Sequence, residues 1–537
     1  MKSKGYKNKL LITGALCGLF WAGNLFPAVA SADALVSEKY AITDYCGESD
    51  FSVFKDKEGY LYACGSNATG QLGRGNVGPG KKLEPYEGKI FDEKVASFDT
   101  GKSGFVLAIT EKGELYGWGK NTNGQLAKTI DTETETNNYY QTPQHIELPQ
   151  GVEALSADAG ATHSLLLSKD GKVYAWGQNN RGQLGLSMEI KRTVRVTEPT
   201  LIAQENFGGE KIVQIATTEA TSFALTASGK VYSWGDSDFG QMGDGVAHPV
   251  HNSLPDLVNK PVQTLLSGIK KISAEGTTAM ALAENGDVYV WGNNNFKQFG
   301  SPEWEEAIRA EFPEDAKKVD AWSSVPVKIE KTYNLSGEEV ASEIVDILCG
   351  GTTNLLLSAD GDVYAFGTGG SGELGFSVSN AEKNYQNPYV QMPKMTVPTK
   401  VVFYKALSVE EIVAQGEETF LGKTPVDGTS EQTVKITKLL KSAGVRTYVM
   451  DEDGNVWSWG DNADGLVSSG NVATTDIPVR STMFRDKDYD VTIKEKNYLI
   501  EPIIGLSLIY GAGAAFLIAT EIKRAKQRKV ATSVEKK

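Results

Sequence analysis

One seven-residue pattern recurs through the chain: a glycine, a short apolar strand and a second glycine, as in Gly171-Lys-Val-Tyr-Ala-Trp-Gly177. It occupies residues 59–65, 113–119, 171–177, 229–235, 286–292, 361–367 and 454–460. A repeat at fixed internal spacing means that one supersecondary unit is stacked many times. Asp170, Asn285, Asp360 or Asp453 precedes the first glycine in four copies. Asp-Gly and Asn-Gly predict two-residue hairpin turns with positive φ at both positions. An apolar partner strand lies upstream (164–168, 223–226, 354–358), and another precedes that (152–156, 212–216, 269–273, 344–348). A fourth follows a proline, as at Pro326 and Pro478. Five residues after the closing glycine stands Gly70, Gly124, Gly182, Gly240, Lys297, Gly372 or Gly465, mostly followed by Gln-Leu-Gly or a near variant.

Seven four-stranded antiparallel units with no helix repeated between them close most naturally into an all-β, seven-bladed propeller. The repeat resembles the regulator of chromosome condensation repeat, a seven-bladed propeller family, over roughly residues 40–485. Trp118, Trp176, Trp234, Trp291, Phe366 and Trp459 fall at one position per blade and are expected to pack between blades. Cys64 takes that place in the first blade, with Cys46 read as one strand earlier, so a Cys46–Cys64 disulfide and two unpaired thiols both stay open.

The ends read differently. Lys2, Lys4, Lys7 and Lys9 precede an apolar run and small residues, a signal peptide over 1–32 with cleavage after Ala30 or Ala32. Residues 498–520 are long and apolar enough for one transmembrane helix, and the tail at 521–537 is basic. Positive charge stays inside, so the expectation is a single-pass cell-membrane protein with an extracellular propeller over 33–490 and a cytoplasmic C-terminus. The Lys-rich leader and basic-flanked tail look bacterial. The formal charge of −14 is the wrong sign for a nucleic-acid binder.

Copy-to-copy intervals of 54, 58, 58, 57, 75 and 93 residues locate insertions. These fall at 129–141, 301–322, 376–395 and 401–441. The first three follow the same Gln-Leu-Gly position, which puts them on one face. Their Tyr139, Tyr140, Trp304, Phe312, Trp322, Tyr385 and Tyr389 suit a binding surface for a protein or glycan. No nucleophile elbow, phosphate loop, cofactor motif or metal-ligand set is legible, so the chain reads as a non-enzymatic binding module without cofactor or metal. The resemblance also implies two alternatives. One is a guanine-nucleotide exchange factor, which export would deprive of a small GTPase partner; the other is an inhibitor of a secreted enzyme.

Overall fold

The computed structural model describes residues 42–48, 50–81, 89–131, 133, 138–187, 195–246, 258–304, 322–376, 394–406, 429–432, 434–442, 446–461 and 475–480. One compact unit comprises Tyr40–Phe403 and Gln432–Met483. A second comprises Met1–Lys39, Tyr404–Glu431 and Phe484–Lys537.

Among the described residues, strands follow one another almost without helix. The first copy is β1 (Ile42–Gly47), β2 (Phe51–Asp56), β3 (Leu61–Asn67) and β4 (Gly78–Lys81). The second is β5 (Val95–Gly101), β6 (Phe105–Thr110), β7 (Leu115–Lys120) and β8 (Tyr139–Ile146). The third is β9 (Ala154–Ala159), β10 (His163–Ser168), β11 (Val173–Gln178) and β12 (Arg195–Leu201). Next come β13 (Ile212–Thr217), β14 (Thr221–Thr226), β15 (Val231–Gly235) and β16 (Val258–Gln263). The fifth is β17 (Ile269–Glu275), β18 (Thr278–Ala283), β19 (Val288–Asn293) and β20 (Trp322–Ile329), trailed by the short pair β21 (Thr332–Tyr333) and β22 (Glu339–Val340). The sixth is β23 (Ile344–Cys349), β24 (Thr353–Ser358), β25 (Val363–Thr368) and β26 (Lys394–Lys400). After the paired β27 (Phe403–Ala406) and β28 (Thr429–Gln432), the last copy is β29 (Ile436–Ser442), β30 (Arg446–Asp451), β31 (Val456–Gly460) and β32 (Thr475–Arg480).

The innermost strands β1, β5, β9, β13, β17, β23 and β29 touch in that order, and β29 returns to β1. There the expectation of seven separate blades needs correcting, because the described strands form six sheets of four or more strands. Cys46 pairs with Lys441 and Gly47 with Ser442 in parallel, fusing the first and last copies into one eight-stranded sheet. A parallel pair of innermost edges satisfies main-chain groups that two separate blades would leave open.

The second strand of each copy lies between two neighbours and under the faces of adjacent copies. All six residues of β6, β10, β14, β18, β24 and β30 are accordingly buried. The hairpin turns differ from expectation. The first glycine does adopt positive φ, +81° at Gly113 and +86° at Gly171. The residue before it does not: among the described residues the non-glycine positive φ angles belong to Ala127, Ser187 and Lys297. Gly113 N–H donates to Thr110 O at 2.9 Å and Thr110 N–H to Glu114 O at 2.9 Å. That is a three-residue loop with a glycine bulge rather than a two-residue turn.

The Gln-Leu-Gly segments join one copy to the next. Each repeat tryptophan donates its indole N–H to the main-chain carbonyl in the preceding copy. The pairs are Trp118 to Gln71, Trp176 to Gln125, Trp234 to Gln183, Trp291 to Gln241 and Trp459 to Glu373, at 2.8–2.9 Å. The motif glycine makes room for the ring; a Cβ on Gly185 would lie 2.7 Å from Trp234 Nε1. Phe366 has no N–H to give; Gln298 O there accepts from Asn354 Nδ2 at 2.8 Å, the second-strand position from which Ser164 and Thr447 also donate to Gln125 O and Glu373 O. At Gln183 the carbonyl also accepts the Ser222 hydroxyl (2.8 Å), so Ser222 Oγ in turn accepts His163 Nε2–H (2.9 Å). Burial pushes the His163 imidazole down to about 3.

Trp234→Phe removes one donor and some volume, and is expected to cost about 1–3 kcal/mol in denaturant unfolding. Lys297 holds φ +65° where most copies carry glycine. Lys297→Gly is therefore expected to raise stability by about 0.5–1 kcal/mol. Gly240→Ala, whose Cβ would sit 2.6 Å from the Ser323 carbonyl carbon, is expected to lower it by more than about 1 kcal/mol in the same assay.

Candidate functional site

Antiparallel strand order decides which end of the propeller each connection occupies. Links from first to second strand and from third to fourth share one end. The glycine hairpins and the links to the next copy share the other. The inserts at 129–141, 301–322 and 376–395 all lie between third and fourth strands, so they leave from one end. The 401–441 segment lies between β26 and β29 and is not part of that group.

Tyr139 and Tyr140 open β8 and are half-buried; Tyr140 packs against the core between the second and third copies. Burial raises its phenol above the ordinary tyrosine value. The stem of this insert is pinned by Asn138, which donates to Asp131 O and accepts from Asp131 N–H, both at 2.7 Å. Trp304 is half-buried edge-on against Phe299, with ring centroids 5.0 Å apart. Trp322 begins β20 opposite Asn293. Phe312, Tyr385 and Tyr389 lie outside the described residues, as do the leader at 1–32 and the span at 498–520. Among the described residues, no helix is long and apolar enough to cross a membrane.

Trp118, Trp176, Trp234, Trp291, Phe366 and Trp459 are each fully buried, as their repeat position predicts. Of the two states left open for Cys46 and Cys64, the structure shows two buried thiols without a disulfide, because β2 separates β1 from β3. Two strands apart is roughly 10 Å, beyond the reach of a disulfide. Cys46 Sγ instead lies 3.1 Å from Asp99 Oδ1 and 3.0 Å from Thr100 Oγ1. Burial and the Asp99 charge push its thiol well above the ordinary range.

The same end carries a feature that repeat reading could not reveal. The innermost strands and the turns that follow them surround the axis, and several of them carry charged side chains. Lys441 Nζ sits 2.8 Å from both Asp99 oxygens and 3.7 Å from Asp158 Oδ2. Burial opposes the Lys441 charge, but Asp158 and Asp99 overcome it and hold the pKa well above the usual lysine value. Burial pushes Asp158 up to about 6 against the pull of Lys441. Beside this network lies a cavity of ≈ 220 Å³ lined by Glu48, Lys102, Glu219, Glu275, Phe296 and Gln298, with glycine turns at Gly276 and Gly350-Gly351. Lys102 is ion-paired to Glu219. Glu48 is 6% exposed, and Thr100 Oγ1 donates to its Oε1 at 3.3 Å. Its Oε2 has no hydrogen-bond partner among the described residues. The residue type at these positions changes from copy to copy, so no periodicity singles them out.

Residues 27–407 match the RCC1-like domain family. The chain belongs to that family. It is 29% identical over 352 residues to the ultraviolet-B receptor UVR8 of Arabidopsis thaliana, covering 63% of this chain and 68% of UVR8. It is 29% identical over 334 residues to the human E3 ubiquitin-protein ligase HERC2, covering 60% of this chain but 6% of HERC2. Among solved structures it is similar to yeast RCC1 (Prp20) bound to Kap60, with TM-score 0.57 and 20% identity over 84% of this chain and 86% of that one. Human WBSCR16 aligns with TM-score 0.56 and 21% identity, covering 79% of this chain and 94% of that one. At that identity the likeness shows the fold.

Lys441→Met leaves Asp99 and Asp158 without their ammonium and is expected to cost about 3 kcal/mol near neutral pH. Asp158, already raised by burial, then lacks the pull of Lys441, so its ionisation destabilises the fold more as pH rises through that range. The deficit should therefore shrink as pH falls from about 7 to about 5, checked by urea unfolding of both proteins across that range.

Proposed function

We propose that this RCC1-like propeller is a non-enzymatic binding module that recognises a protein or glycan partner through its insert-bearing end. The observation that carries the reading is topological: three separate inserts depart from the same class of connection, around an axial charged cavity at that end. Rigid strands presenting variable aromatic loops are a physically sound recognition surface. Tyr139, Tyr140, Trp304, Phe312, Trp322, Tyr385 and Tyr389 are its proposed contact residues. Yeast RCC1 is crystallised bound to Kap60, and Prp20p is described with its binding to Gsp1p and histones. Those partners belong to those proteins.

The proposed setting is the cell surface, on the strength of the leader at 1–32 and the apolar, basic-flanked segment at 498–520. Under that topology a cytosolic GTPase is out of reach, whereas a secreted or surface-bound partner is not.

Replacing residues 305–321 by a short Gly-Ser linker keeps Trp304 and Trp322 in place. Capture of surface partners by the tagged full chain should drop by about tenfold or more in this variant, while its thermal unfolding stays close to the parent's. Undiminished capture would remove the insert-bearing end from the reading.

A further inference from the structure

The axial cavity has a composition that selects its occupant. Glu48, Glu219 and Glu275 face it, against the single ammonium of Lys102, which Glu219 already pairs. In their ionised forms these carboxylates repel an anion. A purely apolar group would leave Glu48 Oε2 buried and unpartnered, at a cost of about 1–3 kcal/mol. A bare metal ion is a poor match, since no metal-holding group of His, Cys, Asp or Glu occurs among the described residues. What remains is an organic cation with several N–H donors. The walls favour a flat one. Phe296 adds an aromatic ring to the lining, a surface on which guanidinium stacks well.

We propose that this cavity receives the guanidinium of an arginine side chain carried by the partner, with the Glu48 and Glu275 carboxylates as acceptors. The proposal rests on the binding-face reading above and narrows the partner to a protein that presents an exposed arginine. Guanidinium offers donors in a planar fork that matches carboxylate geometry, which an ammonium lacks.

Association should be linked to pH. Burial, followed by the Glu275 charge, holds the Glu48 pKa well above the ordinary range. Burial raises Glu275 as well. Around Glu48 stand Glu275 from β17, Asp99 from β5, Lys102 from the turn after it and Lys441 from β29. Arg446 of β30 donates from Nη1 to the Glu48 carbonyl oxygen at 3.4 Å. An arriving cation favours the ionised carboxylates and expels their protons, so affinity should rise with pH.

The test is calorimetric titration of the purified full chain with acetyl-Gly-Arg-Gly-amide, its uncharged citrulline counterpart and methylguanidinium. At about pH 8 the arginine peptide should bind at least about tenfold more tightly than the citrulline peptide, and more weakly at about pH 5.5. Glu48→Gln and, separately, Glu275→Gln should each weaken it by about tenfold with little change in melting temperature. Equal binding of arginine and citrulline peptides, or unchanged affinity in both variants, overturns the proposal. So does binding of methylguanidinium with exclusion of the peptide, which would assign the cavity to a free small cation. The two readings separate cleanly. If exchange of 305–321 leaves partner capture intact while the peptides still discriminate, only the insert reading falls. If capture is lost on exchange but the peptides do not discriminate, only the arginine proposal falls.

Discussion

The propeller depends on one hydrogen bond used again and again: an indole N–H reaching back to a main-chain carbonyl in the preceding copy. The geometry demands a donor at the end of a large flat ring, a carbonyl left open by a tight turn, and a glycine where the ring lies down. Trp234, Gln183 and Gly185 are one such set. The carbonyl is buried, and in several copies it takes a second donor from the second strand (Ser164 at Gln125, Ser222 at Gln183, Thr447 at Glu373), so the turn is held from two sides. This explains why tryptophan and the Gln-Leu-Gly segment recur together. Where phenylalanine replaces tryptophan at Phe366, the indole bond is lost and the second-strand donor, Asn354, still reaches the Gln298 carbonyl. The contact couples local turn chemistry to the packing of neighbouring copies.

Such a frame leaves the ends of the strands at liberty to vary. Interfaces between copies are settled by the aromatic clamp and by fully buried second strands, so a connection can lengthen without disturbing either. The insert beginning near Thr129 shows how this is done: Asn138 and Asp131 close its base through two reciprocal bonds. Charge, meanwhile, gathers where first strands converge. Lys441 between Asp99 and Asp158 is a tie among three innermost strands, and the carboxylates beyond it give that end of the axis its negative character.

What could be read from the residues alone follows the same division. Anything that repeats was legible: the four-stranded unit, the buried aromatic position, the glycine hairpins and the shared departure point of three inserts. The turn type was misread because Asp-Gly fits both a two-residue turn and the last two places of a three-residue loop with a glycine bulge. The distinction lies in the φ of the residue before glycine. The state of Cys46 and Cys64 stayed open because spacing along the chain, which places Cys46 one strand before Cys64, does not register the intervening β2. Glu48, Lys102 and Glu275 were invisible for a simpler reason. They come from different copies at positions with no common residue type, and only folding brings them to one axis.

The parallel seam between β1 and β29 joins residues almost four hundred positions apart along the chain. Every other adjacent pair of copies is contiguous in sequence and can dock as soon as both exist. This one waits for the final copy to leave the ribosome, and until then the edge at Cys46 and Gly47 is unsatisfied. A truncated product would therefore present an open strand to its surroundings, a form prone to self-association. Cellular quality control would have a clear mark by which to distinguish unfinished molecules from finished ones.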